Sequence, residues 1–444
     1  MNDYFNGYMI TKDYKIITEY NDEEETHNGC YILVKNNIIS QDFFGCYGAY
    51  IDKDFNFFDN LYNISKLKNI SLNKEYYNKL IVSREVPFTL NNTLFNEFKR
   101  YNGSYKINLF NKKIEKIDYR INSINYTSPL FYDILDKWYF KWINIFKNIN
   151  GDIIQDLSGG IDTRILLSIS INADILDRIL IRSKKNYLNK EAVEDYKISS
   201  KLINYYNLPR VEKIMINKTN NDDFNYIIGN SNFTASLKTR PVKKLYRICG
   251  NGGLLYHRPN TFKNLLNFRY KNVDKWLIDS YNKYCNLVEI PEYIKEQNLK
   301  ELYIYRKLIV ELRDGIKSAD YFRANTIMIC PMMDPDLNIL NPLNEKGQSI
   351  LPYIILKRYC PKLLDFRIEG MEEKNLLKHE TKTLLDKIPS KNRRKENKIF
   401  FLRYEKENPN NDGSHSLGTD FLLVNRILKN DNKNTKKQKH SKLF

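Results

Sequence analysis

The chain has 444 residues, 42% of them hydrophobic and 13% aromatic, and a formal net charge of +18. That length exceeds what one hydrophobic core usually serves, so two globular domains are expected, and so large an apolar fraction excludes an intrinsically disordered chain. No apolar run approaches the roughly 18 residues of a membrane-spanning helix, and the lysines are spread along the chain rather than set in an aromatic-interleaved basic block, so neither a membrane nor a nucleic acid is the expected partner.

Residues 1–125 read as short strands separated by Asn, Gly and Asp turns, at Gly29–Val34, Phe43–Ile51 and Lys79–Val82, with few long amphipathic runs. A β-rich first domain is expected. From Ser128 the texture changes: Phe131, Ile134, Leu135, Trp138, Trp142, Ile145 and Phe146 recur at three- and four-residue spacing through Asn148, which predicts a long amphipathic helix. It leads into a short apolar strand at Asp152–Leu157. Beyond the glycines that follow, Ile161, Ile165 and Ile169 share one face of a second helix. A strand at Ile179–Arg182, a helix at Glu191–Tyr206 and a strand at Val211–Ile216 continue the alternation. Strands and helices alternating at this spacing predict an α/β fold with a doubly wound parallel sheet, and nucleotide chemistry at the carboxyl ends of its strands. Beyond about residue 270 the pattern is helical, clearest at Lys300–Ile316 and Ile350–Arg358. The second domain therefore spans 126–428. The last stretch, 429–444, holds six lysines against one aspartate and is expected to be a disordered basic tail.

The six cysteines (Cys30, Cys46, Cys249, Cys285, Cys330, Cys360) form no Cys-x-x-Cys pair and have no histidine at metal-ligand spacing, so they read as reduced core residues. Met1-Asn2-Asp3-Tyr4 lacks the basic-then-apolar order of a signal peptide, and a cytoplasmic location is expected.

The chemistry concentrates after Leu157, where Ser158-Gly159-Gly160-Ile161-Asp162-Thr163 opens a helix. Such a turn points free backbone N–H groups and the positive end of a helix at an anion. The glycines permit a backbone approach that a Cβ would block. Hydroxyls of Ser158 and Thr163 can donate to phosphate oxygens, and Asp162 can hold a magnesium ion that bridges them. Neither Gly-x-x-x-x-Gly-Lys-Ser/Thr nor Gly-x-Gly-x-x-Gly occurs anywhere in the chain. The plainer alternative is a tight turn with Ser158 as the helix cap.

The run Asp156-Leu157-Ser158-Gly159-Gly160-Ile161-Asp162-Thr163-Arg164 resembles the Ser-Gly-Gly-x-Asp-Ser loop, or PP-loop, of the N-type ATP pyrophosphatases. It is most similar to the Leu-Ser-Gly-Gly-x-Asp-Ser form of asparagine synthetases and β-lactam synthetases, with Thr163 keeping the hydroxyl. Glu194–Leu202, followed by Asn207-Leu208-Pro209, is similar to the family's acid-led helix after the second strand. That strand, with Ile181 and Arg182, would flank adenine. Leu245–Gly253 resembles the strand and Gly-rich loop that closes the other side of the ATP site, which implies nucleotide contacts at Gly250, Gly252 and Gly253. Pro331–Leu340 resembles the family's Pro-Phe-Leu-Asp stretch. The resemblance covers most of 128–370 and implies an adenine-nucleotide α-hydrolase-like domain with C-terminal helices, with ATP and Mg2+ as cofactors and Asp162 as the metal ligand.

Around Asp42–Tyr50 the first domain is similar to the Ntn-hydrolase-like glutaminase domain of the same enzymes, an α+β fold rich in β structure. Those enzymes need a cysteine exposed by removal of Met1, and here position 2 is Asn2. The resemblance then implies a degenerate glutaminase-like domain that hydrolyses no glutamine. The Gly-rich loop also departs from the family, because Leu254-Leu255-Tyr256-His257-Arg258 follows Gly253 where relatives place magnesium-binding acids. Three accounts stay open: a second carboxylate such as Asp334 assists Asp162, Arg258 replaces part of the metal's work, or turnover is lost. Arg164, Lys184, Lys185, Arg240, Lys243, Lys244 and His257 are further candidate cations beside Arg258.

The implied reaction is ATP-dependent formation of an acyl-adenylate from a small-molecule carboxylate, with Asp162 and Arg258 catalytic, and its transfer to ammonia or an amine. The nitrogen would come from solution, from a partner subunit such as a separate glutaminase, or from the amine substrate itself, and a homo-oligomer is the other expected assembly. Relatives of this layout act in surface-polysaccharide and natural-product pathways. A catalytically inactive scaffold and a tRNA-modifying PP-loop enzyme are the alternatives.

Overall fold

In the computed structural model the described residues are 3–20, 26–45, 47–76, 91–117, 123–183, 190–210, 216–218, 239–241, 245–250, 326–341 and 350–368, with scattered residues of 282–304. The chain opens on β1 (Tyr4–Thr11), β2 (Ile16–Ile17), β3 (Thr26–Lys35), β4 (Ile38–Gln41), β5 (Ala49–Asp52) and β6 (Phe57–Phe58). A one-turn helix α1 (Leu61–Ile64), β7 (Phe98–Tyr101), β8 (Tyr105–Asn108) and β9 (Lys113–Lys116) follow. These strands make a six-stranded antiparallel sheet in the order β2-β1-β3-β4-β8-β9 and a three-stranded antiparallel sheet in the order β6-β5-β7. Local chemistry sets the hairpin between β3 and β4. Its two turn residues, Asn36 and Asn37, have φ of 51° and 62°, the left-handed pair that a tight hairpin requires and that asparagine tolerates.

The predicted strand Phe43–Ile51 is a strand only from Ala49. Asp42 turns the chain first, with Oδ1 accepting from Tyr31 N and Oδ2 from Phe44 N, each at 3.0 Å. Gly45 then adopts φ +57°, where a Cβ would lie 2.5 Å from Gly103 N, so the run of strand-forming residues is broken by a turn that only glycine fits. The predicted strand at Lys79–Val82, Cys46 and the tail 429–444 lie outside the described residues.

Beyond β10 (Ile124–Asn125) comes the long helix α2 (Pro129–Asn148), then β11 (Asp152–Asp156), α3 (Ile161–Ala173), β12 (Ile179–Arg182) and α4 (Lys190–Tyr206). The described remainder holds β13 (Ile216–Lys218), β14 (Thr239–Pro241), β15 (Leu245–Ile248), α5 (Glu292–Glu296), β16 (Thr326–Ile329), α6 (Pro335–Asn338), β17 (Leu340–Asn341) and α7 (Leu351–Tyr359), which a short 3-10 turn follows at Pro361–Asp365. Four strands form a wholly parallel sheet in the order β12-β11-β15-β16. β10 pairs in parallel with β17, and β13 pairs antiparallel with β14. The fold is thus a mixed α/β one. Of the predicted strand Val211–Ile216, residues 211–215 lie outside the described residues; Ile216 belongs to the antiparallel pair, while Arg210 makes a parallel bridge to Ile181 on the side of β12 away from β11. Most of the predicted helix Lys300–Ile316 also lies outside them.

Helix α2 organises the core. Pro129 starts it where its missing N–H has no intrahelical partner to lose, and its apolar positions bury Phe131, Leu135, Trp138, Trp142, Ile145 and Phe146. Each such side chain stabilises the fold by roughly 1.5–3 kcal/mol. Trp138 Nε1 donates to Pro331 O at 3.1 Å, and the Tyr139 ring stacks on Tyr359 with centroids 3.7 Å apart. Asp136, buried on the same helix, takes a two-point bond from Arg358 of α7 at 2.8 and 2.9 Å and a hydroxyl bond from Tyr359 at 2.5 Å. One apolar cluster runs from Tyr8, Ile32 and Ile107 of the first sheet through α2 to Ile153, Ile181, Ile248 and Ile329 of the parallel sheet. A second, around Tyr50, Leu61, Ile64, Phe95 and Phe98, serves the three-stranded sheet. Among the described residues no helix is long and apolar enough to cross a membrane.

Candidate functional site

All four strands of the parallel sheet end on one side, and Ser158–Thr163 stands at that edge between β11 and α3. Leu157 is buried, and its N–H donates to Arg182 O at 3.0 Å, which locks the end of β11 to the end of β12. The loop then closes on itself. Ser158 N donates to Thr163 Oγ1 at 3.1 Å, Gly160 N donates to Ser158 Oγ at 3.1 Å, and the two hydroxyl oxygens lie 3.3 Å apart. Gly160 is the N-cap of α3 and supplies no side-chain cap, so no side chain of the cap residue meets the first-turn N–H groups. Ile161 is buried and begins the helix, and Asp162 occupies its first turn.

Two contacts from other elements define the loop's surroundings. Gly159 N donates to Asp195 Oδ1 of α4 at 2.6 Å. A Cβ on Gly159 would lie 2.8 Å from that oxygen and 3.0 Å from Ile198 Cδ1, so glycine is needed for α4 to approach. Gly250, just past β15, packs on the loop helix from the other flank: a Cβ there would lie 3.0 Å from Asp162 Cβ and 3.7 Å from Thr163 Cγ2. The structure therefore brings together Leu157, Ser158, Gly159, Gly160, Ile161, Asp162, Thr163 and Gly250.

Ile181 and Arg182 sit at the end of β12 beside this loop, but their side chains are committed. Ile181 is fully buried in the core. The Arg182 Nε bonds Asp156 Oδ1 at 2.8 Å, and Arg247 of β15 bonds Asp156 Oδ2 at 2.5 Å, so two guanidinium groups share one carboxylate at the carboxyl edge of the sheet. Burial alone would raise the Asp156 pKa, but Arg247 and Arg182 outweigh it and hold the carboxyl below the usual aspartate range. Burial pushes the Arg182 guanidinium down, partly opposed by Asp156.

Two residues named from the sequence have other roles. Arg164 is no cation for a phosphate. It is fully buried, and donates to the carbonyl oxygens of Gly159 and Leu363 at 3.2 Å, of Phe366 at 2.6 Å and of Arg367. Burial lowers its pKa to about 10. It thus clamps the segment after α7 onto the loop, and Arg367 adds an ion pair to Glu194 at 2.7 Å. Asp334 is no helper for a metal. Its carboxylate caps α6 through Asp336 N at 3.1 Å, accepts from Trp142 Nε1 at 2.8 Å and pairs with Lys141 at 2.8 Å, which uses both oxygens. Lys184, Lys185, Lys243, Lys244, Gly252, Gly253, His257 and Arg258 lie outside the described residues, and of Arg240 only the backbone in β14 is described.

Asp195, Asp156 and Arg247 were not singled out as site residues from the sequence. For Arg247 a signal existed, since a charged residue inside the short apolar strand Leu245–Ile248 needs a partner once buried. For Asp195 the signal was only its place in the acid-led helix Glu194–Leu202, since its partner is a backbone N–H 36 residues away.

No protein-family model and no curated protein matches this chain. The arrangement is therefore read on its own chemistry. Among the described residues no group of three His, Cys, Asp or Glu side chains is gathered to hold a metal. Magnesium beside a nucleotide commonly needs only one or two carboxylates, with phosphate and water oxygens completing its shell, and Asp162 fits that lesser demand.

Proposed function

We propose that the chain is an ATP-dependent, asparagine-synthetase-like ligase that activates a small carboxylate as an acyl-adenylate on the Ser158–Thr163 loop and passes the acyl group to ammonia or an amine. The observation that carries the reading is the helix start itself. A strand of a parallel sheet delivers two glycines and an uncapped helix terminus at the sheet's carboxyl edge, with Asp162 in the first turn and Gly250 of a neighbouring strand end packed against it.

In this reading the first-turn N–H groups of α3 and the hydroxyls of Ser158 and Thr163 receive the phosphates, and Asp162 holds the magnesium ion. The backbone at the end of β12 flanks adenine, since the Ile181 side chain is turned into the core. When bound, magnesium supplies positive charge to the leaving pyrophosphate. Fixed donors at the helix terminus stabilise the charge that builds there without having to reorganise. Attack of the substrate carboxylate on the α-phosphorus makes AMP the later leaving group, and the amine then forms the amide. The first domain acts as a degenerate, Ntn-like glutaminase module without its own nucleophile, and the setting we propose is cytoplasmic.

The test is AMP formation from ATP labelled in the α-phosphate, with magnesium, ammonium and a panel of carboxylates, against Asp162→Ala. AMP that depends on one carboxylate and on Asp162 supports the reading; AMP formation unchanged in the variant defeats it. A second reading, a nucleotide-binding scaffold without turnover, is favoured by the 2.6 Å bond from Gly159 to Asp195, which places a carboxylate of the chain itself on a loop amide. ATP binding with no AMP across the panel would select it.

A further inference from the structure

Two cysteines stand abreast at the edge of the parallel sheet. Ile248 of β15 and Ile329 of β16 are register partners, and the next residue on each strand is a cysteine. The Cys249 N–H donates to Ile329 O at 3.0 Å, which holds the two strand ends level. Their Sγ atoms are 3.2 Å apart, closer than non-bonded heavy atoms normally pack, at roughly 3.5–4.0 Å between carbons. A disulfide requires about 2.05 Å, and strand neighbours at this spacing fall in the Cα range that a disulfide accepts. Neither cysteine is in a disulfide, and both are buried. Neither the core packing nor the proposed ligase chemistry calls for two sulfurs in contact here.

We propose that Cys249 and Cys330 are a site of reversible oxidation, closing to a disulfide with a hydroperoxide and thereby controlling the Ser158–Thr163 loop. One thiolate attacks the peroxide, breaking its O–O bond to give a sulfenic acid and an alcohol, or water when the oxidant is hydrogen peroxide. The second sulfur then displaces the sulfenic oxygen, which leaves as water with the remaining thiol protons. Two electrons pass from the sulfur pair to the peroxide, and a dithiol reverses the change. The hydrogen bond between the Cys330 thiol and Cys249, together with burial, pushes the Cys330 thiol up, so the reaction is slower than at an exposed thiol and quickens as pH rises.

The link to the loop is one residue long. Gly250 follows Cys249 and lies close against Asp162, where a Cβ would come within 3.0 Å of the Asp162 Cβ. Bringing the two sulfurs about 1 Å closer fixes the Cys249 side chain and ties the end of β15, which Gly250 extends against Asp162 and Thr163, to the end of β16. The disulfide stands independently of the ligase reading; its effect on nucleotide rests on that reading.

The test uses the full chain, reduced and then treated with hydrogen peroxide. We expect loss of the mass of two hydrogens, a non-reducing peptide map joining Cys249 to Cys330, and full reversal by dithiothreitol. The same map on Cys30→Ser should keep the linkage, and on Cys249→Ala or Cys330→Ala should lose it. ATP–magnesium affinity should fall at least about five-fold on oxidation and recover on reduction. Sulfinic acids without a crosslink, or a crosslink through Cys30 instead, overturn the site. A correct crosslink with unchanged affinity overturns the control. Reduced protein that binds no ATP overturns the ligase reading and the control together, while the crosslink is still judged by mass alone.

Discussion

Gly159 and Asp195 are joined by a 2.6 Å bond from backbone N–H to carboxylate, so α4 holds the loop by a group that a phosphate would also accept. A charge-assisted bond of this kind is worth about 1.5–3 kcal/mol. Asp195→Asn keeps an acceptor but removes the negative charge. We expect ATP affinity to rise several-fold, more at low salt, with a small loss of thermal stability. Equilibrium dialysis at two salt concentrations reads the effect, and weaker binding in the variant would mean that Asp195 assists the nucleotide rather than competing with it.

Gly250→Ala places a methyl 3.0 Å from Asp162 Cβ. That contact is between two backbone-anchored carbons, so the loop helix or the end of β15 must give. Nucleotide affinity should drop by about ten-fold, or about 1.4 kcal/mol, while the midpoint of thermal unfolding moves little. A large fall in the midpoint with affinity intact would show that Gly250 serves packing alone.

The Asp136–Arg358 pair has side chains only 12% and 6% exposed. Removing one partner leaves the other charge buried, so Asp136→Ala should cost about 3–5 kcal/mol. The double variant Asp136→Leu, Arg358→Met should recover much of that loss, because no stranded charge remains. Denaturant titrations of the wild type and the two variants decide it, and a double variant no more stable than Asp136→Ala would refute the account.

Asp156 has a lowered pKa in the fold, so it binds fewer protons there than in the unfolded chain. Its contribution is complete above the unfolded value of about 3.9 and is lost as pH falls through the lower folded value. Thermal midpoints measured from pH 7 downward should steepen below about pH 4, and Asp156→Asn should flatten that limb while lowering the midpoint at pH 7. An unchanged acid limb would assign it to other carboxylates.

What was legible in the sequence was local. The spacing of Phe131, Leu135, Trp138 and Trp142 announces α2, and the order of strand, glycines and helix announces the loop. What was hidden depends on partners far along the chain. Arg164 looks like a phosphate cation until Leu363, Phe366 and Arg367 turn their carbonyls toward it, 199 to 203 residues away. Asp334 looks like a free acid until Lys141 and Trp142 arrive from α2. The strand predicted from Phe43 failed for a nearer reason, since Asp42 and Gly45 carry turn chemistry that outweighs the strand preference of the aromatics between them.

The indole of Trp138 meets its acceptor, Pro331 O, across 193 residues of chain. During synthesis at 5–20 residues per second, that separation leaves α2 on the ribosome for roughly 10–40 s before its counterpart emerges. The part of its aromatic face that Pro331 and its neighbours cover stays open throughout that interval. A nascent chain built this way is a natural client for chaperones that shield apolar helices, and slowed translation beyond α2 would lengthen its exposure to aggregation.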